Sequence, residues 1–335
     1  VRRLAAALLL APTLLLTGCG SSAKTATAAD TAAPCPSGSA AQSPLPVPPV
    51  TSTDSQLPTV SGEFGKSATI TVPKGDPTGN FVVKPISVGN GPVVTNDDVV
   101  GFNIVGQTWA GKPFQDSYKD SGGAAVDNLH TTPMLPMFSK AVVGQKVGSR
   151  VEVVAPPAAG FGNAGYPQLQ ITCHDTLAMV FDITAAVPVD GSADGTPQTP
   201  TADVPKVQMN DKAAASFTIS SSQRDPKTLG ATVLLKGNGP TVQPGQNLIA
   251  QYTGAVLANG KVFDSSWSHG GATNFVIGKG QVIPGWDKGL VGQTVGSRVL
   301  LTIPAAEAYG AQPPQGSGIP ANAPLVFVVD ILGAA

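Results

Sequence analysis

Val143-Gly144-Gln145-Lys146-Val147-Gly148-Ser149-Arg150-Val151 returns 148 residues later as Val291-Gly292-Gln293-Thr294-Val295-Gly296-Ser297-Arg298-Val299, and only Lys146 against Thr294 differs. The same offset sets Gly89-Asn90-Gly91-Pro92 against Gly237-Asn238-Gly239-Pro240, and Gly106 against Gly254. Solenoids repeat every ~20–50 residues, so an interval this long means two tandem copies of a whole domain. Asp190-Gly191-Ser192-Ala193-Asp194-Gly195-Thr196-Pro197 has the composition of a connector. The first copy is placed at 62–188, a linker at 189–203 and the second copy at 204–335. A chain of 335 residues suits two domains at about 150 residues each.

Each copy reads as β-rich. From Asn247 to Leu257, Leu248, Ala250 and Tyr252 alternate with Ile249, Gln251 and Thr253, which is the period of a strand. Asn259-Gly260 then predicts a tight turn. Val299–Ile303 and Leu325–Leu332 predict further strands. Ile283, Trp286 and Leu290 fall at helical spacing, so one short helix is expected from Pro284 to Val291 with an apolar face toward a sheet. Several strands and one short helix predict an α+β domain, an antiparallel sheet wrapped on a helix.

Composition narrows the function. Charged residues are 12% of the chain and the formal net charge is −1. A nucleic-acid binder needs a basic stripe, and none is present. No G-x-S-x-G or H-E-x-x-H sequence supports a hydrolase. No heptad or long amphipathic seam predicts an oligomer, so a monomer is expected.

The N-terminal segment reads as an address. Arg2 and Arg3 precede an apolar run, Leu4 to Leu16, and Leu16-Thr17-Gly18-Cys19 follows. This predicts a secretory signal over 1–18. Leucine, a small residue, glycine and cysteine resemble the bacterial lipobox. That resemblance implies lipidation of Cys19 and an extracytoplasmic protein anchored to the cell membrane. Residues 19–61 are rich in Ser, Ala, Thr, Pro and Gly and are expected to form a disordered tether. With Cys19 lipidated, Cys35 and Cys173 remain. They either pair, pinning the tether to the first copy, or stay as two thiols, and both readings stand. His130, His174 and His269 show no ligand spacing with the cysteines, so no metal site is expected. His130 and His269 read as exposed loop residues.

Aromatic residues are only 5% of the chain, and in the second copy they fall in ordered segments. These are Tyr252-Thr253-Gly254, Gly260-Lys261-Val262-Phe263-Asp264-Ser265-Ser266, Gly280-Gln281-Val282-Ile283-Pro284-Gly285-Trp286 and Ala308-Tyr309-Gly310. In combination, over roughly 100 residues, they resemble the FKBP family, macrolide-binding immunophilins that are peptidyl-prolyl cis–trans isomerases. The resemblance implies a five- or six-stranded antiparallel half-barrel around a short helix, with an apolar pocket between them. It implies Tyr252, Asp264, Trp286 and Tyr309 as the catalytic group, with Trp286 on the pocket floor. Phe263, Val282, Ile283, Ile319 and Phe327 would bind substrate. It also implies proline-containing unfolded or exported polypeptides as partners, macrolides as further ligands, and no cofactor. Two positions depart from the pattern: Thr273 stands where many members carry an aromatic, and Pro313-Pro314-Gln315 follows Tyr309 without a histidine.

In the first copy, Ile104 replaces Tyr252, Phe138 replaces Trp286, Phe161 replaces Tyr309 and Met179 falls opposite Phe327. Phe114 aligns with Phe263, Gln115 follows it, and Asp116 matches Asp264 only with an inserted residue. These changes keep apolar volume and lose hydroxyls and the indole. Isomerase chemistry is therefore expected in the second copy, with the first degenerate. The alternative is a non-catalytic binding or chaperone module using both pockets.

Overall fold

The computed structural model describes residues 34–36, 44–120, 123–200 and 203–335. The predicted signal over 1–18, Cys19 and much of the predicted tether lie outside the described residues. No helix among the described residues is long and apolar enough to cross a membrane.

The first copy contains β1 (Val50–Thr51), β2 (Thr59–Ser61), β3 (Thr69–Thr71), β4 (Phe81–Ser87), β5 (Asp98–Thr108), β6 (Pro113–Asp116), β7 (Ala125–Asn128), α1 (Pro136–Val142), β8 (Arg150–Ala155) and β9 (Leu177–Pro188). The second contains β10 (Thr196–Pro197), β11 (Lys206–Asn210), β12 (Ala213–Thr218), β13 (Gly230–Lys236), β14 (Asn247–Val256), β15 (Val262–Ser265), β16 (Thr273–Val276), α2 (Pro284–Leu290), β17 (Arg298–Ile303) and β18 (Leu325–Ala334). The two sheets have one topology. The first runs β1-β4-β8-β9-β5-β6, with β7 also on β5, and the second runs β10-β13-β17-β18-β14-β15, with β16 also on β14. Each is antiparallel except for the parallel β1–β4 pair. The protein is thus α+β, with two half-barrels each holding one short helix.

The helix seats closely in the second copy because glycines face the sheet. A Cβ on Gly285 would lie 2.5 Å from Ile303, and one on Gly289 would lie 2.6 Å from Leu301. Trp286 and Leu290 then reach a core of Leu248, Val299, Leu301 and Ile331. Pro284 opens the helix, where its missing N–H costs no hydrogen bond. The Asp287 carboxylate accepts the amides of Gly278 and Gly280 at 2.6 and 2.7 Å, tying the preceding loop to the helix.

Three sequence expectations are corrected. Each sheet has seven strands rather than five or six, because segments read as tether and linker supply edge strands. Val50–Thr51 pairs with Phe81–Val82, and Thr196–Pro197 pairs with Leu235–Lys236. The tether reading of 19–61 therefore runs too far, and the linker 189–203 is partly built into the second sheet. All ten residues of β14 are buried, on both faces of the sheet. The outer face is covered by the β11–β12 hairpin, whose Val207 and Phe217 pack near Ala255, Leu257 and Val326. The β2–β3 hairpin occupies the corresponding place on the first copy.

Each outer face also carries one ion pair at the same register, Arg150 opposite Asp182, both buried, and Arg298 opposite Asp330, of which Arg298 is partly exposed. Both are two-pronged, with nitrogen–oxygen distances of 2.6 and 2.7 Å. Burial of such a pair is tolerated only when the geometry is good and the remaining polar atoms are satisfied.

The two copies touch. Val99, Ala185 and Val187 of the first form one small core with Ile249 and Ala272 of the second. The Val189 carbonyl accepts the Ala272 amide at 2.7 Å and Gln251 Nε2 at 3.0 Å. Cys35 and Cys173 are joined by a disulfide, so of the two sequence readings the paired one holds.

Candidate active site

The concave face of the second sheet, the short helix and the loops after β16 and β17 enclose a hollow of about 430 Å³. Such a volume is within the range of about 300–1,000 Å³ for small-molecule clefts. Eight of the nine predicted pocket residues line it: Tyr252, Phe263, Asp264, Val282, Ile283, Trp286, Tyr309 and Phe327. Ile319 does not. It is buried in the core and lines a smaller adjoining recess of about 160 Å³ with Asp264, His269 and Tyr309.

The apolar walls are an edge-on aromatic set. The Trp286 ring centroid lies 4.9 Å from that of Phe275, 5.4 Å from Phe327 and 5.5 Å from Tyr252, and each pair is close to T-shaped. Phe263 meets Phe327 at 5.6 Å in the same manner. Edge-to-face contacts suit aromatic quadrupoles and hold the rings at fixed angles. Gly254 makes room for this set, since a Cβ there would lie 2.5 Å from Phe327 and 2.8 Å from Phe263. Trp286 Nε1 is buried with no hydrogen-bond partner among the described residues.

The polar groups gather at one rim. Tyr252 donates its hydroxyl to Asp264 Oδ2 at 2.7 Å, and His269 Nε2 meets Asp264 Oδ1 at 2.7 Å. Asp264 is thereby held from both sides. The pairing of Gly254 with Asp264 across β14 and β15 sets the height of this carboxylate in the pocket. Tyr309 lines the same hollow and shares the adjoining recess with Asp264. Burial, with a smaller contribution from the Asp264 carboxylate, pushes its phenol up to about 12, so it stays protonated at ordinary pH. Its hydroxyl donates to no acceptor among the described residues and is available to a ligand carbonyl.

Sequence reasoning missed four participants. Phe275 is absent from the predicted group, yet its ring is the nearest aromatic neighbour of Trp286 among those paired with it. Gln281 and Pro314 line the hollow, and His269, expected to be an exposed loop residue, is exposed and also meets Asp264. The sequence signal for His269 was only its spacing of five residues after Asp264. That spacing becomes a contact because residues 266–269 coil into one tight turn and bring the ring back.

The first copy repeats the frame without the hollow's polar rim. Gly106 pairs with Gln115, in the register where Gly254 pairs with Asp264. Asp116 points elsewhere, accepting from Ser67 at 2.6 Å and Lys119 at 2.6 Å. Phe161 stacks on Tyr166 at 4.9 Å, and Phe138 sets its edge on Phe181 at 5.9 Å. Ile104 and Met179 are fully buried in the core.

A sequence model described as FKBP-type peptidyl-prolyl cis-trans isomerase matches residues 91–185 and again 239–332. An FK506-binding protein of Streptomyces anulatus is 40% identical over 107 residues, which is 32% of this chain and 86% of that protein. FK506-binding protein 1 of Debaryomyces hansenii is 46% identical over 108 residues, covering 32% of this chain and 95% of that protein. A probable FK506-binding protein of Corynebacterium glutamicum is 37% identical over 110 residues, 32% of this chain and 89% of that protein.

Proposed function

Because the chain belongs to the FKBP-type peptidyl-prolyl cis–trans isomerase family, we propose that its catalysis resides in the second copy and serves exported polypeptides. The observation that carries this reading is the difference between the two copies. Tyr252, Asp264, Trp286 and Tyr309 surround one hollow, while Ile104, Gln115, Phe138 and Phe161 stand at the matching places of the first copy.

An Xaa-Pro bond turns slowly because amide resonance imposes a barrier of about 18–20 kcal/mol. At the midpoint the amide is twisted, its nitrogen is pyramidal and its carbonyl is less polar. No covalent bond is made or broken, so neither a nucleophile nor a cofactor is needed. The proline ring rests on Trp286 between Phe263, Val282, Ile283 and Phe327. Their apolar surroundings favour the twisted form over the planar, better-solvated one, and that difference is what speeds the step. Tyr309 donates to a substrate carbonyl and holds the chain on one side of the bond. Asp264, fixed by Tyr252 and His269, faces the rotating amide. About 5 kcal/mol of selective stabilisation yields several thousandfold in rate.

The first copy spaces the catalytic copy from the membrane or holds extended chains weakly. The lipobox-like Leu16-Thr17-Gly18-Cys19 supports a lipid anchor on Cys19, outside the cytoplasm. The test is isomerisation of a short Xaa-Pro peptide by the full chain. Asp264→Asn and Tyr309→Phe are expected to lower kcat/KM, while Gln115→Ala and Phe161→Leu leave it unchanged. Loss from the first-copy variants alone would place the chemistry in the first copy.

A further inference from the structure

The outer faces of the two copies are built on the same ion pair but are finished differently. In the first copy, the chain drops onto the pair between β2 and β3. Arg150 Nη1 donates to the Gly62 carbonyl and Nη2 to the Lys66 carbonyl, each at 2.7 Å. Asp182 accepts the Gly65 amide at 2.8 Å and the Tyr118 hydroxyl. Arg150 is left 3% exposed by its side chain. Gly62 and Gly65, at φ of +107° and +80°, make that descent possible.

In the second copy, the corresponding hairpin does not descend. Val207–Phe217 pairs as Val60–Ile70 does, but the chain runs on to a tight tip at Asp211-Lys212. Counted from that pair, Met209 stands at the place of Gly62 and Lys212, at φ of +46°, at that of Gly65. Beneath the tip lies a cavity of about 230 Å³, floored by Arg298 and Asp330 and walled by Trp267. Arg298 is 16% exposed by its side chain. Its Nε and Nη2 serve Asp330, and its Nη1 donates to no group among the described residues. Trp267 follows Ser266 as Tyr118 follows Ser117, where both serines accept the amide of the facing strand. The indole N–H of Trp267 also has no acceptor among the described residues.

We propose that this cavity is a second binding site, for a short glycine-bearing chain segment that presents main-chain carbonyl oxygens to Arg298. Residues 62–66 are the internal example of such a ligand, bound to the same guanidinium in the other copy. The charges agree with a neutral carbonyl acceptor. Asp330 is matched by Arg298 and Lys212 by Asp190, and Asp211 adds a further negative charge, so the cavity holds no surplus positive charge to attract an anion. Gln251 and Thr253 face this cavity from β14, while Tyr252 between them sends its ring to the prolyl pocket on the other face. A client chain can therefore be held on one face while a proline is turned on the other.

The test uses the full chain and the capped peptide Gly-Glu-Phe-Gly-Lys, the sequence of residues 62–66, which contains no proline. The Trp267 indole N–H resonance, assigned with Trp267→Phe, is expected to shift saturably. Arg298→Lys should weaken binding about tenfold, as expected for one lost hydrogen bond to a charged group. Trp267→Phe, read by calorimetry, gives a second variant should Arg298→Lys not fold. Prolyl isomerisation should stay within about twofold in Trp267→Phe, so a failed isomerase reading would be seen separately. No saturable shift at millimolar peptide overturns the proposal, as does equal affinity in both variants. Displacement by an Xaa-Pro peptide would also overturn it, placing the probe in the prolyl pocket. Displacement by acetate or phosphate alone would make the cavity a small-anion site instead.

Discussion

Tyr252 reaches across twelve residues of sequence to hold Asp264 at 2.7 Å, and the bond joins the first long strand of the second copy to the rim of its pocket. Removing the hydroxyl leaves a charged acceptor short of one donor. Such bonds contribute about 1.5–3 kcal/mol. Tyr252→Phe should lower kcat/KM by roughly tenfold or more, with unfolding by urea checking that the fold survives. His269→Ala, which frees the other oxygen of Asp264 at an exposed position, should do less.

Gly254 is a place where packing and function coincide. Gly254→Ala puts a methyl against Phe327 and Phe263, and such overpacking costs about 1–3 kcal/mol. The expected result is a lower urea midpoint together with weaker binding of any pocket ligand. An unchanged midpoint with full binding would show that both rings have room to withdraw.

Tyr309 gives a pH signature. Its folded-state value lies above the ordinary phenol value of 10.0, so the folded protein holds this proton longer than the unfolded chain does. Its contribution is complete below pH 10 and is lost as pH rises through 10 toward about 12. Stability followed across that window should fall less in Tyr309→Phe than in the parent. Parallel curves would remove the shift.

Glu152 is buried on the outer face of the first copy, and its Oε1 has no hydrogen-bond partner among the described residues. Burial pushes its carboxyl above the usual range despite the nearby Lys84. The second copy carries Leu300 at this place, inside an apolar cluster. Glu152→Leu should therefore raise stability at pH 7 by about 1–3 kcal/mol. The gain should shrink as pH falls through the raised folded-state value and the parent carboxyl takes up a proton.

The Cys35–Cys173 bond closes a long loop with a sequence separation of 138 residues. Bonds of this kind typically contribute about 2–4 kcal/mol, largely by restricting the unfolded chain. Cys35→Ser should lower the melting temperature of the first copy and leave prolyl isomerisation in the second unchanged. An equal loss of isomerisation would mean that the two copies melt as one.

The pocket was legible because aromatics are scarce. Tyr252, Phe263, Trp286 and Tyr309 stood out against Gly- and Ala-rich surroundings, and the nine-residue repeat fixed their frame. What escaped depended on contacts that sequence spacing does not express. Phe275 joins the aromatic set only because β16 pairs with β14 and brings it over Trp286. His269 needs one coil of chain to find Asp264. Two-residue strands at Val50 and Thr196 are too short to show a period. The dry outer face of β14 was hidden for another reason: Val207 and Phe217, which cover it, lie some forty residues away and belong to a different local pattern.

The disulfide also sets where a mechanical load would travel. A pull on the chain upstream of Cys35 enters the fold at Cys173, a few residues before β9, the central strand that leads into the second copy. The 138-residue separation between them lies off the line of force. That shielded length, roughly 450–500 Å when extended, would appear in a single-molecule trace as a missing release until reductant is added.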